Sequence, residues 1–148
     1  MNKMNVKILC DGKEIFDSLF NMFNYLSYGE TYHHFCGHPD LRWNQEGYPD
    51  RARDVLVPIK QEKELRTKGI YYPAEWILEK FGRERAKTEF RDFKLLPSGV
   101  LIPSRFYVYR NRVLHINDNG SKFTGTLVED PTYAEVHRKY VSDLFDLL

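Results

Sequence analysis

The sequence predicts an α/β fold in which a mixed β-sheet is flanked by helices in three layers. Three observations predict it. Short β-branched and aromatic runs alternate with amphipathic stretches through the first half of the chain, and the second half is denser in strands separated by turn residues. A long segment of helical periodicity then closes the chain. The 148 residues, 42% hydrophobic and 15% aromatic, suit a single domain over 1–148 with a filled core, and we find no internal repeat, low-complexity tract or linker.

Val6–Cys10 (VKILC) reads as a strand that ends at Asp11-Gly12. Asp11, three residues before Glu14, is placed to cap a helix, and Ile15, Leu19, Phe23 and Leu26 recur on one face with Phe16 and Phe20 beside them. Ser27-Tyr28-Gly29 stops that helix. Thr31–Cys36 (TYHHFC) is the second strand, ended by Gly37-His38-Pro39-Asp40, so the opening reads as one βαβ unit.

From Pro49 to Lys68 the pattern is helical, with Ala52, Val55, Leu56 and Ile59 on one side and Gly69 as the stop. Pro58 lacks an amide hydrogen and crowds the preceding turn, so a kink or break is expected there. Ile70–Tyr72 is the next strand, and Pro73 begins a short helix with Trp76, Ile77 and Phe81 that closes at Gly82. Strands follow at Phe93–Leu96, Phe106–Tyr109, Val113–Ile116 and Thr124–Val128, adjacent ones pairing antiparallel. Asp130-Pro131 starts the last helix, whose apolar face runs through Ala134, His137, Tyr140 or Val141, Leu144, Phe145 and Leu148.

The formal charge of +1 argues against a phosphate-tracking surface, and no direct contact with nucleic acid is expected. Arg83, Arg85, Lys87 and Arg91 cluster, but Glu84, Glu89 and Asp92 are interleaved with them, as on a solvated helix. No run of apolar residues is long enough to span a membrane, and the N-terminus lacks a secretory h-region. A cytoplasmic protein is expected, with Cys10 and Cys36 as thiols.

Taken in order, DGKE before a helix, RTKGI, RDFKLLP, IPSRFYVYRNRVLHI and TLVEDPTYAEVHRKYVSDLF resemble the phospholipase-D-like effector domain of TrmB-like prokaryotic transcription regulators. The resemblance spans nearly the whole chain and rests on order and spacing. Active phospholipase-D-like enzymes carry HxKxxxxD before such a strand-turn-strand, and the three positions fall here on Pro103, Arg105 and Arg110. Proline offers no nucleophile and arginine cannot orient an imidazolium, so phosphohistidine chemistry is not expected. The resemblance implies a non-catalytic, ligand-sensing or protein-interaction domain of the effector-binding kind, a homodimer by analogy, and no cofactor. About five residues precede the first strand, so no winged helix is expected there, and the chain would stand alone or work with a separate DNA-binding partner.

The expected ligand is small and polar or anionic, held at the strand ends, with Gly12, Lys13, Gly37, His38, Tyr72, Arg105 and Asn117 as the candidate ligand-binding residues. Gly12 and Lys13 open a helix, where free amides can hold an anion, although a plain cap explains them as well. Arg105 can grip a carboxylate or phosphate with two N–H groups, or simply face solvent. His33, His34, Cys36 and His38 are the densest group of soft metal ligands, with Cys10 near them if the first two strands are neighbours. Their spacing fits no standard zinc pattern, and we read them as packing at a strand end. The alternative function is a metal-dependent hydrolase or phosphodiesterase that uses the His33–His38 cluster. His115, Asp118 and Ser121 invite a triad reading, but adjacency in a turn is not triad geometry. His137 reads as a satisfied, partly buried histidine, and Tyr71, Tyr72, Tyr107 and Tyr109 as sheet and core residues.

Overall fold

The structure, a computed structural model, describes residues 3–73 and 82–148. Its elements are β1 (Asn5–Leu9), α1 (Gly12–Tyr25), β2 (Thr31–Cys36), α2 (Leu41–Gln45), α3 (Tyr48–Arg51), a π-helical segment (Ala52–Leu56), α4 (Val57–Glu62) and β3 (Arg66–Tyr71). There follow α5 (Arg83–Thr88), β4 (Arg91–Leu95), β5 (Arg105–Tyr109), β6 (Arg112–Asp118), β7 (Phe123–Glu129) and α6 (Pro131–Leu147). The helix expected from Pro73, with Trp76, Ile77 and Phe81, lies outside the described residues.

The strands form one seven-stranded mixed sheet in the order β1-β7-β6-β5-β2-β3-β4. β2, β3 and β4 run parallel, and the remaining pairings are antiparallel. Alternation along each strand sends successive side chains to opposite faces. One face packs Tyr32, Tyr107, Leu114 and Ile116 against α1 and the α2–α4 segment, which supply Ile15, Leu19, Trp43 and Leu56. The other packs Phe35, Ile70, Val108 and Val113 against Ala134, Val141 and Phe145 of α6. The expected three-layer α/β architecture is therefore present.

Helix starts follow the sequence closely. Asp11 Oδ1 accepts from the Glu14 amide at 2.9 Å while Glu14 Oε2 accepts from the Cys10 amide at 2.6 Å, a reciprocal cap. At α6, Asp130 Oδ2 accepts from the Tyr133 amide at 2.8 Å, with Pro131 at the first helical position. Pro58 has the expected local effect. The helical run widens to π geometry over Ala52–Leu56, where the Val57 amide reaches back to the Ala52 carbonyl, and then continues as α4.

Four expectations are corrected. The opening is not a single βαβ unit of neighbours, because β7, β6 and β5 lie between β1 and β2, so Cys10 is remote from the β2 histidines. Periodicity cannot show that later hairpin strands will insert into that gap. The helix expected to reach Lys68 ends at Glu62, and Glu64 turns the chain with a φ of 48° before Arg66 enters β3. β4 lies at the far edge, parallel to β3, and does not pair with β5. Finally, the charged RERAKTEFRD stretch is not uniformly solvated: Glu89 is 1% exposed, and Arg91 turns inward as the first residue of β4.

Candidate functional site: a cation-ringed cavity over the central strands

The α1 face of the central strands carries a group of buried polar side chains. Alternation places His34 and Cys36 of β2, Tyr71 of β3, Arg91 of β4, and Arg105 and Tyr107 of β5 on this one face. Register brings them together, with Cys36 opposite both Arg105 and Tyr71, and His34 opposite Tyr107 and Gly69. The missing side chain of Gly69 matters here. A Cβ at that position would lie 2.8 Å from the Tyr71 hydroxyl, so the phenol can fold back over the glycine and reach His34.

These residues, roofed by Trp43 of α2 and Leu56 of the π segment, line a cavity of about 100 Å³. That is room for a few water molecules or about five heavy atoms of a ligand. Arg105 is 3% exposed and ion-paired through Nη1 to Asp40 Oδ1 at 2.8 Å, and its guanidinium sits 5.4 Å from the Trp43 ring. The Asp40 contact is one of charge: Nε and Nη1 of Arg105 both lack an aligned hydrogen-bond acceptor among the described residues. Glu89, also in the lining, accepts from Arg85 Nε at 2.8 Å through Oε2, while its buried Oε1 has no partner among the described residues.

Electrostatics follow from burial in this ring of charge. His34 lies flat on Tyr107, its Nδ1 held 3.2 Å from the Tyr71 hydroxyl, and its Nε2 is buried without a partner among the described residues. Burial, and then the charge of Arg105, Arg91 and Lys60, holds its pKa well below the ordinary imidazole value, so the ring is neutral. Burial, and then the Asp40 carboxylate, pushes the Cys36 thiol well above its ordinary value, and its Sγ–H points to the His38 carbonyl at 3.2 Å. Burial works against the charge of Arg105, but Asp40, Cys36 and Tyr107 together more than offset it, and the guanidinium stays protonated. Just outside the cavity, Lys60 is fully buried with Nζ bonded to the Leu65 carbonyl at 2.5 Å and Thr67 Oγ1 at 2.7 Å. Burial and then Arg91 lower its pKa to about 6.

The residues expected to hold a ligand are divided among three places. Arg105 and Tyr72 line the cavity. His38 and Asn117 line a separate shallow groove at the sheet rim with Ser104 and His115, which Arg105 also borders. Gly37 fixes the chain between them: its amide donates to the Ser104 carbonyl at 2.9 Å, and a Cβ there would collide with the Ile102 carbonyl oxygen. Gly12 is buried against Glu46 and Tyr48 at the start of α1, and Lys13 is exposed and paired with Asp17 at 3.0 Å.

The four soft ligands of the His33–His38 stretch do not converge. His33 faces α6, 3.3 Å from Ser142 Oγ, while His34 and Cys36 face the cavity and His38 Nδ1 lies 3.0 Å from the Pro39 carbonyl. Among the described residues no group of three His, Cys, Asp or Glu side chains is arranged to hold a metal. His115, Asp118 and Ser121 also go separate ways. His115 Nε2 meets the Tyr133 hydroxyl at 2.7 Å, Ser121 bonds to Asn119, and Asp118 accepts from the Arg42 and Trp43 amides at the start of α2. Arg110 sits at the β5–β6 turn and pairs with Glu30.

Sequence reasoning missed Asp40, Trp43, Glu89 and Arg91 as cavity residues. Alternation in RFYVY and TYHHFC is a signal that joins Arg105 with Tyr107 and His34 with Cys36. Nothing local in the sequence joins Glu89 to them.

A seven-stranded mixed sheet with helices on both faces, and the chain order found here, is the phospholipase-D-like fold. The solved structures agree. TrmBL2, an archaeal chromatin protein with a novel mode of DNA binding, superposes with a TM-score of 0.62 at 9% identity, over 95% of this chain and 52% of that one. Phosphatidylserine synthase of Haemophilus influenzae Rd KW20 superposes with a TM-score of 0.52 at 12% identity, over 98% of this chain and 39% of that one. At such identities the likeness is one of fold. No family model matches the chain, and no curated protein matches it. No helix among the described residues is long and apolar enough to cross a membrane.

Proposed function

We propose that this chain is a non-catalytic binding module that senses a small anionic ligand in the Arg105 cavity. The observation that carries the reading is Arg105 itself: a buried guanidinium that lines the cavity and whose Nε and Nη1 lack an aligned acceptor among the described residues. Buried donors are nearly always satisfied, and here a ligand oxygen can do it. Arg91 also lines the cavity, so it and Arg105 bring positive charge to it.

The non-catalytic part of the reading rests on the reactive groups. His34 is buried, and the Cys36 thiol is kept protonated, so neither is poised as a nucleophile. Pro103 stands where the phospholipase-D-like nucleophile would be. A homodimer and a separate DNA-binding partner complete the reading, by resemblance to TrmB-like regulators.

The test is a calorimetric and thermal-shift titration of the intact chain with inorganic phosphate and small carboxylates, repeated on Arg105→Met. Saturable binding that disappears in the variant is expected. A ligand at 100 times its dissociation constant should add about 2.7 kcal/mol of stability. Absence of any shift would overturn the sensing role. Turnover of a chromogenic phosphodiester, lost in His38→Ala, would overturn the non-catalytic part.

A further inference from the structure

The cavity holds an acceptor as well as donors. Glu89 is 1% exposed, follows α5 directly, and engages Arg85 through Oε2 alone. Its Oε1 is buried and has no partner among the described residues, and Glu89 is one of the residues that line the cavity. Arg105, on β5, lines the same space and carries two donors without an aligned acceptor among the described residues. An ionised carboxylate can only accept hydrogen bonds, so any anion that fills the cavity without a proton of its own leaves Oε1 facing lone pairs. The roughly 100 Å³ available leaves little room for a water layer to separate the two.

Building on the anion-site reading above, we infer that Glu89 is the selectivity residue of this cavity, admitting small oxyanions that carry their own hydrogen-bond donor and excluding those that do not. The anionic oxygens sit on Arg105, and the ligand's O–H donates to Glu89 Oε1. A protonated phosphate and a short α-hydroxy carboxylate both satisfy this pattern; sulfate and acetate, of similar size and charge, do not. Discrimination of this kind is large because the penalty falls on a buried group left unpaired.

The experiment compares matched pairs at pH 7 by titration calorimetry on the intact chain: inorganic phosphate against sulfate, and glycolate against acetate. At least a tenfold preference, about 1.4 kcal/mol, is expected for the donor-bearing member of one pair, and which pair shows it separates a phosphate from a hydroxy acid. In Glu89→Gln the amide supplies a donor of its own, and the preference should fall to within about threefold. Sulfate and acetate binding as tightly as their partners overturns the inference while leaving the anion site intact, and so does an unchanged preference in Glu89→Gln. If none of the four anions binds, or Arg105→Met binds them as the wild type does, the anion-site reading itself falls. Should Glu89→Gln fail to fold, the wild-type ratios decide alone.

Discussion

The imidazole of His34 lies flat on the ring of Tyr107, with centroids 3.9 Å apart and planes 11° from parallel. These residues sit directly opposite each other in the antiparallel β2–β5 pair, so the stack is built into the sheet's register. It sets the floor of the cavity and aligns His34 between Tyr107 and the Tyr71 hydroxyl. Four predictions follow from this cavity and from the buried titratable groups on both faces of the sheet.

Arg105 and Asp40 form a nearly dry ion pair, with Arg105 2% and Asp40 13% exposed. Removing one partner strands the other. Arg105→Met should therefore cost about 3–5 kcal/mol of stability in urea unfolding, and the double variant with Asp40→Asn should recover most of it. Anion binding should not return with stability, because the guanidinium, not the pair, makes the site.

Acid should weaken the fold before carboxylate titration dominates. Burial holds His33 and His115 at pKa values of about 4, from an ordinary 6.5, and His34 lies well below that ordinary value too. The folded chain thus binds fewer protons than the unfolded one. The stability these imidazoles contribute is complete above about pH 6.5 and is lost as the pH falls toward 4. Urea unfolding at pH 7 and 4.5 should differ by roughly 1–2 kcal/mol for each of His33 and His115, with a further loss from His34 in the same direction, and NMR titration of the rings is the direct check.

Lys60 has the same sign over a higher range. The buried amine releases its proton at about 6 when folded, against 10.5 when unfolded. Stability should rise between pH 6.5 and 8.5 with a slope of up to about 1.4 kcal/mol per pH unit. Lys60→Met should flatten that slope, which a series of unfolding curves over this interval reads directly. An unchanged slope would place the proton uptake elsewhere.

Asp118 anchors the cavity roof from a distance. Its carboxylate, on β6, accepts from the Arg42 amide at 2.7 Å and the Trp43 amide at 3.1 Å, capping α2 where Asp40 makes no side-chain cap. Asp118→Ala should cost about 2 kcal/mol and loosen Trp43 over Arg105. The readout is a change in near-ultraviolet circular dichroism together with weaker anion binding.

Local signals in the sequence located most elements and several site residues. Asp11, Asp130 and Pro131 gave the starts of the two long helices, since capping is chemistry of adjacent residues. Alternation in TYHHFC correctly separates His33 from His34 and Cys36, because strand geometry alone decides the face. The lower part of the 49–68 stretch misled, because the apolar spacing of Leu56 and Ile59 carries no mark of the turn at Glu64 that starts β3. Glu89 and Arg91 misled for another reason. Their interleaved charges look solvated in one dimension, and only the position of β4 beside β3 folds them over the Tyr71 face.

The sequence by itself determined the α/β class, the helix caps and the distortion before Pro58. The order of strands and the cavity were decided only by tertiary structure. Parallel pairing of β3 with β2 and β4, and insertion of the β5–β7 meander between β1 and β2, depend on contacts between residues far apart in the chain. Such contacts leave no periodic trace. The charge that Arg105, Arg91 and Glu89 bring to one cavity exists only once the sheet has assembled.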